Sequence, residues 1–223
     1  MPAFIFDLDG TLVDSVYQHV FAWNVALRTC GFELPMWRIH RKIGMSGALL
    51  LRSLETDLNL KMDDGTKKRL EKLHGEEFAR LRSQIQPFEG TRELLQALKD
   101  NGVHFAIATS GGLEDVQPLI DTLELDDDVP VISKKDASTP KPDPGLFLIA
   151  AEKLRSPSHE TIAVGDSVWD MLAAQRAHFL GIGLLTGGYG ESEMTSAGAF
   201  RVYSDPGQMC AHLHEAGVVT AQT

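Results

Sequence analysis

The segment from Phe4 to Ser15 reads FIFDLDGTLVDS, and it decides how the rest of the chain is interpreted. The apolar run from Ala3 to Phe6 has the length and the aromatic and β-branched content of a buried strand. Asp7 and Asp9 follow, and alternate residues of an extended chain point to the same side. Gly10 then allows a turn. Two carboxylates on one side repel unless a cation lies between them, which predicts a divalent-metal site at the carboxyl end of a parallel strand. An ordinary acidic turn after an edge strand is the alternative.

The composition limits the classes of partner. The chain has 223 residues and a formal net charge of -10, which argues against binding nucleic acid or an anionic membrane, because both need basic surface. A small anionic substrate stays compatible, since a metal ion and a few cations can set the field in a cleft. The sequence shows neither an apolar run of the ~18 residues that a membrane span needs nor a secretory leader. We therefore expect a cytoplasmic protein, and the sequence makes no prediction of oligomeric state.

The periodicity of the sequence changes along the chain. Residues 15–85 read as helices joined by turns and by a loop that Pro35 opens, because apolar residues recur at helical spacing and no strand alternation occurs. From residue 86 onward, helices alternate with short apolar strands, which predicts a mostly parallel sheet with helices on both faces. The first strand belongs with this later block. We therefore expect an α/β catalytic core formed by residues 1–14 and 86–223, and an inserted all-helical domain formed by residues 15–85.

Two further segments carry polar groups suited to an anion. Thr109, Ser110 and Gly111 follow an apolar strand, and they offer a hydroxyl and backbone N–H groups just before a helix. A satisfied strand-to-helix turn is an equal alternative. Lys141 lies between two prolines, whose fixed φ angles hold it on a stiff loop for contact with an anion. The alternative for this residue is a solvated loop lysine.

A last polar segment brings more carboxylates. The segment TIAVGDS is predicted to be a strand that ends in an aspartate, Asp166, and Asp170 follows about one helical turn later. Asp166 would be a third carboxylate beyond a strand end, together with Asp7 and Asp9. The alternative is that Asp166 is the N-cap of the next helix, a role that Ser167 could share.

Taken together, these segments resemble the haloacid dehalogenase-like superfamily of aspartate-nucleophile phosphohydrolases. The matching blocks occur in the family's order, as DLDGTLVDS from residue 7, TSG from 109, KPDP from 141 and GDSxxD from 165. The resemblance covers the whole chain and is to the branch of phosphoglycolate phosphatases and β-phosphoglucomutases. It implies a Rossmann-like, doubly wound α/β core with an inserted α-helical cap at residues 15–85.

The resemblance also implies roles for individual residues. Asp7 would be the nucleophile that forms an aspartyl-phosphate, and Asp9 would be the general acid and base. Mg²⁺ would be held by the carboxylates of Asp7 and Asp166 and by the backbone carbonyl of Asp9, with Asp170 as a ligand or a support. The residues that would bind the substrate's phosphoryl group are Thr109, Ser110, Gly111 and Lys141.

The helical block contains candidate substrate contacts. His19 matches a histidine of β-phosphoglucomutase relatives, although a partly buried helix histidine is an even alternative. Gly44 and Ser46 would belong to a cap loop that enters the active site, and a plain helix-entry turn is the alternative. Those mutases carry an arginine directly after Gly-x-Ser, whereas this chain has Gly47.

We therefore expect a Mg²⁺-dependent phosphatase that acts on a small phosphorylated metabolite, such as phosphoglycolate or a sugar phosphate. The missing arginine makes a sugar phosphomutase the second hypothesis. A catalytically inactive phosphate-binding module is a third and less favoured one, because the full set of motif residues is present.

Overall fold

The computed structural model describes residues 1–137 and 139–219. The chain forms two compact units, the first comprising Met1–Asp14 with Gln86–Thr223 and the second comprising Ser15–Ile85. The backbone N–H of Asp14 donates to the carbonyl of Gln86 at 2.9 Å. The chain therefore leaves the first unit and re-enters it through two adjacent, hydrogen-bonded segments.

The second unit is helical. Its apolar core is built from one face of each long helix, and the core includes Val20, Trp23, Leu51, Leu54 and Leu70. The helices are α1 (Val16–Thr29), α2 (Met36–His40), α3 (Gly47–Leu58) and α4 (Asp64–Leu81). The short helix α2 lies in a stretch that the sequence pattern places in a loop after Pro35.

The first unit contains a six-stranded sheet in which every neighbouring pair of strands is parallel. The strand order is β3-β2-β1-β4-β5-β6. The strands are β1 (Ala3–Phe6), β2 (Phe105–Ala108), β3 (Val131–Ile132), β4 (Thr161–Gly165), β5 (Leu180–Leu184) and β6 (Ala199–Tyr203). The predicted Rossmann-like α/β fold is confirmed, and the alternative that the first strand lies at a sheet edge is wrong, because β1 lies between β2 and β4.

Helices connect these strands and cover the sheet. They are α5 (Thr91–Asp100), α6 (Leu113–Asp121), α7 (Gly145–Leu154), α8 (Val168–Ala177), α9 (Glu191–Ser196) and α10 (Pro206–Ala211). Ile5 of β1 packs in one cluster with Phe147 of α7 and Ala173 of α8. Phe4 and Phe6 alternate with Ile5 and therefore point to the opposite face, where both are fully buried. Both faces of β1 are thus covered, as parallel sheets require.

No helix among the residues that the structure describes is long and apolar enough to cross a membrane. The longest, α4, has 18 residues, and it carries many charged side chains in its sequence DGTKKRLEKLHGEEFARL.

Candidate active site

The site begins where three neighbouring strands end. Asp7, Thr109 and Asp166 are each the first residue after β1, β2 and β4, respectively. The backbone N–H of Asp7 still donates to the carbonyl of Val164 in β4, at 2.9 Å, so the register of the sheet extends to the aspartate. Because parallel strands present their carboxyl ends at one edge, the sheet brings three residues together that are far apart in sequence.

Three buried carboxylates form a cluster at this edge. One carboxylate oxygen from each of Asp7, Asp166 and Asp170 lies within 4.8 Å of the others, and it is the one group of this kind among the described residues. The exposed fractions of these residues are 6%, 4% and 0%. The side chain of Asp9 lies outside the cluster and is half-buried. Its predicted part in metal binding is through the backbone carbonyl, and that part stays a prediction.

Lys141 supplies the positive charge of the cluster. Its Nζ lies 2.5 Å from Oδ1 of Asp7 and 2.8 Å from Oδ1 of Asp170, and it donates to the carbonyl of Ala108 at 3.2 Å. The ammonium also lies 4.8 Å from the ring centroid of Phe147. The side chain is only 1% exposed, so the alternative of a solvated loop lysine is wrong. Lys141 is a structural partner of the carboxylates as well as a candidate ligand for phosphate.

The orientation of Asp170 is set by the start of α8. Ser167 is the N-cap, and Oδ2 of Asp170 accepts hydrogen bonds from the backbone N–H and the hydroxyl of Ser167, at 3.1 and 2.5 Å. The Ser167 side chain in turn accepts from the backbone N–H of Asp170, and this reciprocal arrangement is a capping box. The capping role therefore belongs to Ser167 and not to Asp166. Oδ1 of Asp166 instead accepts a hydrogen bond of 2.9 Å from the hydroxyl of Thr11.

The pKa values of these groups follow from burial and from one another. Burial, opposed by Lys141 and assisted by the charge of Asp170, raises the pKa of Asp7 to about 7. Burial raises the pKa of Asp166 well above its usual value, and the charges of Asp170 and Asp7 add to this. For Lys141, burial lowers the pKa, but the two neighbouring carboxylates outweigh burial and leave the pKa above its usual range.

The cluster fits a divalent cation. Three buried carboxylates face a single ammonium, so the fully ionised site carries an excess of negative charge that a dication would balance. Oδ1 of Asp170 has an ion-pair distance to Lys141 but accepts no hydrogen bond from the described residues, which leaves lone pairs for a metal. The donors are hard carboxylate oxygens, which Mg²⁺ and Ca²⁺ prefer.

The segment after β2 offers donors for an anion. Oγ1 of Thr109 is fully buried and accepts a hydrogen bond of 3.0 Å from the backbone N–H of Gly111. That bond uses a lone pair, and within the described part of the chain the hydroxyl proton of Thr109 has no hydrogen-bond acceptor. The buried Oγ of Ser110 likewise has no partner there. The N–H of Gly111 already donates to Thr109, so its predicted contact with phosphate stays a prediction.

Two close approaches at the site are not apparent from the sequence patterns that located the carboxylates. A Cβ atom built on Gly187 would lie 2.0 Å from Oδ2 of Asp166, and one built on Gly165 would lie 2.3 Å from Cβ of Asp170. Both positions therefore exclude any side chain. Gly187 lies shortly after β5. The one feature of the sequence that could have indicated a close approach here is the glycine-rich segment TGGYG at residues 186–190. Nearby, the hydroxyl of Thr186 donates to the carbonyl of Gly10 at 2.5 Å.

The remaining predicted residues belong to the second unit. His19 is half-buried on α1, and its Nδ1 lies 3.1 Å from Nε2 of His74 on α4. The His19 ring stacks on Phe78 with centroids 3.9 Å apart, and His74 stacks on Trp23 at 4.3 Å. His19 is therefore a packed helix histidine, and His74 is a partner that sequence reasoning missed. A contact of His19 with substrate stays a prediction.

The Gly44 to Gly47 turn leads into α3. Gly44 has a φ of 96°, which places it in the left-handed region. Ser46 is the N-cap of α3, and its hydroxyl accepts a hydrogen bond from the backbone N–H of Leu49 at 3.4 Å. The helix-entry turn is thus present, and the predicted substrate contacts of Gly44 and Ser46 stay predictions.

Comparison with known proteins adds independent information. A profile of haloacid dehalogenase-like hydrolases matches residues 1–178. The phosphoglycolate phosphatase of Nitrosospira multiformis is 33% identical over 179 residues, which is 78% of this chain and 79% of that protein.

Solved structures agree with the fold. A hydrolase from Pseudomonas syringae has 46% sequence identity and a TM-score of 0.93, over 96% of this chain and 99% of that chain. A protein described as a putative β-phosphoglucomutase from Bacteroides vulgatus has a TM-score of 0.88 over 99% of this chain and 91% of that chain. At 20% identity, the second similarity concerns the fold alone.

Proposed function

Because the chain belongs to the haloacid dehalogenase-like hydrolase family, we propose that it is a Mg²⁺-dependent phosphatase of small phosphorylated metabolites. The observation that carries the proposal is the position of Asp7. Its carboxylate lies at the end of the central strand, in contact with Lys141 and next to two further buried carboxylates. The name of the Nitrosospira relative supports phosphoglycolate as a substrate, with sugar phosphates as the related class.

In the proposed reaction, a carboxylate oxygen of Asp7 attacks phosphorus while the ester P–O bond breaks, and an aspartyl-phosphate forms. Asp9 donates a proton to the departing alkoxide, so the leaving group departs as an alcohol. The resulting Asp9 carboxylate then takes a proton from a water molecule that attacks the same phosphorus. Inorganic phosphate leaves, Asp7 regains its carboxylate and Asp9 regains its proton.

The groups around Asp7 would bind the metal ion and the phosphoryl group. The carboxylates of Asp7, Asp166 and Asp170, with the backbone carbonyl of Asp9, would hold Mg²⁺, which when bound neutralises negative charge on the phosphoryl oxygens. Thr109 would donate its hydroxyl proton to a phosphoryl oxygen, and Ser110 has a buried hydroxyl that is available for the same purpose. Lys141 would balance the charge of Asp7 before substrate binds and that of the phosphoryl group afterwards.

The domain roles are part of the same proposal. We assign residues 1–14 and 86–223 as the catalytic core and residues 15–85 as a cap, and the division into two compact units supports this assignment. His19, Gly44 and Ser46 are the candidate substrate contacts from the cap.

One observation disfavours the alternative of a sugar phosphomutase. A Cβ atom on Gly47 would lie 3.1 Å from Cζ2 of Trp23 and 3.5 Å from Oε1 of Glu71. A side chain at this position would therefore start next to a buried indole and a carboxylate. An arginine, which the mutases carry here, would require the indole of Trp23 to shift by a few tenths of an ångström. We therefore favour hydrolysis over phosphoryl transfer between sugar hydroxyls.

The test is phosphate release from a panel of phosphorylated metabolites and from p-nitrophenyl phosphate, with Mg²⁺. We expect Asp7→Asn to lower kcat/KM by at least ~1,000-fold, because the amide is a poor nucleophile. Asp127→Asn is the matched control, since Asp127 is exposed in the same unit. Full activity of Asp7→Asn would exclude the mechanism. Conversion of β-glucose 1-phosphate to glucose 6-phosphate without phosphate release would identify a mutase instead.

A further inference from the structure

The turn that follows Asp9 is bound by a residue from a distant loop. Gly10 comes directly after Asp9 and is buried, with a φ of 83° in the left-handed region that favours glycine. Its N–H donates to the carbonyl of Val13 at 2.9 Å, and its carbonyl accepts a hydrogen bond from the hydroxyl of Thr186 at 2.5 Å. Within the described part of the chain, Thr186 is the one donor to this carbonyl. The peptide groups on both sides of Gly10 are therefore held in place.

Thr186 itself lies on a fixed support. It belongs to the short 3₁₀ helix Leu185–Gly187, which directly follows β5, and β5 pairs with β4 in the sheet. Gly187 is buried, and a Cβ atom on it would lie 2.5 Å from the backbone carbonyl oxygen of Asp166 as well as 2.0 Å from its Oδ2. The position of the Thr186 hydroxyl is therefore set by the sheet and by the close approach of the next residue to Asp166.

The two residues after Asp9 have different partners. The hydroxyl of Thr11, which is fully buried, donates to Oδ1 of Asp166 at 2.9 Å. That hydrogen bond serves the carboxylate cluster. The hydrogen bond from Thr186 instead goes to the backbone of Gly10, next to Asp9. Thr186 therefore acts on the segment that carries Asp9 and not on a carboxylate of the cluster.

We propose that Thr186 is a positioning residue for Asp9. Glycine has more conformational freedom than any other residue, so Gly10 by itself would let the backbone beside Asp9 rotate. The hydroxyl of Thr186 removes this freedom and fixes the direction from which the Asp9 carboxyl transfers its proton to the departing oxygen. Such precision matters, because a displacement of ~1 Å can cost on the order of 100-fold in rate. This role rests on the proposed function, in which Asp9 is the acid.

The experiment compares two substrates of similar shape in saturating Mg²⁺. Phenyl phosphate and p-nitrophenyl phosphate differ in the basicity of the leaving oxygen, and the more basic phenolate depends more on a proton from Asp9. The ratio kcat/KM includes the step in which this group leaves. We therefore expect Thr186→Val to lower kcat/KM at least ~10-fold for phenyl phosphate and less than ~3-fold for p-nitrophenyl phosphate.

Two further variants serve as controls. Thr186→Ser keeps the hydroxyl and should restore kcat/KM for phenyl phosphate. Thr195→Val makes the same substitution at an exposed threonine of α9, and it should leave both values unchanged.

A second measurement needs neither metal nor turnover. Amide hydrogen exchange of the metal-free protein, followed by NMR, reports how often the N–H of Gly10 loses its bond to Val13. We expect this exchange to be about 5-fold faster in Thr186→Val, because the loss of a hydrogen bond of ordinary strength makes local opening easier. Thr186→Ser and Thr195→Val should exchange at the rate of the parent chain.

Two results would overturn the role of Thr186. If Thr186→Val lowers kcat/KM equally for both esters, or for neither, the hydroxyl does not act through the proton donor. If the exchange at Gly10 is unchanged, the hydroxyl does not hold the segment. A parent chain that hydrolyses neither ester would contradict the proposed function itself, so the two failures are distinguishable.

Discussion

The acidic cluster of the first unit and the histidine pair of the second are built differently. Asp7, Asp166 and Lys141 come from separate strand ends and loops, and each contacts groups far away in sequence. His19 and His74 lie on two helices and are held by stacked aromatic rings. The cluster therefore depends on sheet register and charge balance, whereas the histidine pair depends on side-chain packing.

The glycines of the two units show the same contrast. A methyl group on Gly187 would overlap Asp166, whereas a Cβ atom on Gly75 in α4 meets no atom within 4 Å. The position beside Asp166 therefore has no room for a methyl group, whereas the position of Gly75 in α4 has room for one. The following substitutions test this contrast, in order of decreasing effect.

Lys141→Met should destabilise the metal-free protein most. It leaves Asp7 and Asp170 buried without their cation, which costs about 3 kcal/mol. The loss should be smaller at pH 5 than at pH 8, because protonation removes the unbalanced charge. Urea unfolding in EDTA at pH 5 and pH 8 measures the loss of stability and its dependence on pH. Lys134→Met, at an exposed lysine, is the control. A loss equal to that of the control would mean that the carboxylates do not need Lys141.

Gly187→Ala should lower both stability and metal affinity. The new methyl group would lie 2.0 Å from Oδ2 of Asp166, so the aspartate or the loop must move, at a cost of about 2 kcal/mol. Unfolding and Mg²⁺ titration measure the two effects. Gly190→Ala is the control in the same loop, because its Cβ would lie 3.6 Å from Oε2 of Glu193, an ordinary contact. Unchanged metal affinity in Gly187→Ala would remove Asp166 from the proposed metal site.

The stability of the metal-free protein should fall as the pH rises from about 4 to about 7. The pKa of Asp7 is raised from 3.8 to about 7, so the folded state holds this proton more tightly than the unfolded state. The stabilisation from the protonated group is complete below pH 3.8 and is lost as the pH rises through about 7. The slope from one group is at most about 1.4 kcal/mol per pH unit.

The measurement is urea unfolding in EDTA at a series of pH values, for the parent chain and for Asp7→Asn. The difference between the two isolates the contribution of Asp7. Mg²⁺ should reduce the loss at high pH, because a bound dication favours the ionised carboxylate. A difference that does not vary with pH would show that Asp7 titrates normally.

Gly75→Ala should stabilise the protein by about 0.8 kcal/mol. Gly75 lies inside α4, and alanine has the higher helix propensity. The thermal unfolding midpoint measures the gain, and hydrolysis of p-nitrophenyl phosphate should not change. A loss of stability would show that the surface of α4 at this position is less open than its neighbourhood indicates.

Local patterns in the sequence predicted much of the fold. The aromatic and β-branched run before Asp7 predicted a buried strand, and helical spacing after Ser15 predicted the inserted block, because both periodicities are properties of adjacent residues. The short helices α2 and α9 were not predicted, since they have 5 and 6 residues and too few positions to show a period.

The chain alone determined which residues are candidates: Asp7 and Asp9 in one segment, Thr109, Lys141 and Asp166 in three others. Only the tertiary structure decided their partners. Lys141 lies 134 positions from Asp7, and Thr11 lies 155 positions from Asp166, yet each pair is in contact. No local pattern encodes such contacts, because they arise when the parallel register of the sheet sets the strand ends side by side. For the same reason, the opening aspartate pair proved unequal, with Asp7 inside the carboxylate cluster and the side chain of Asp9 outside it.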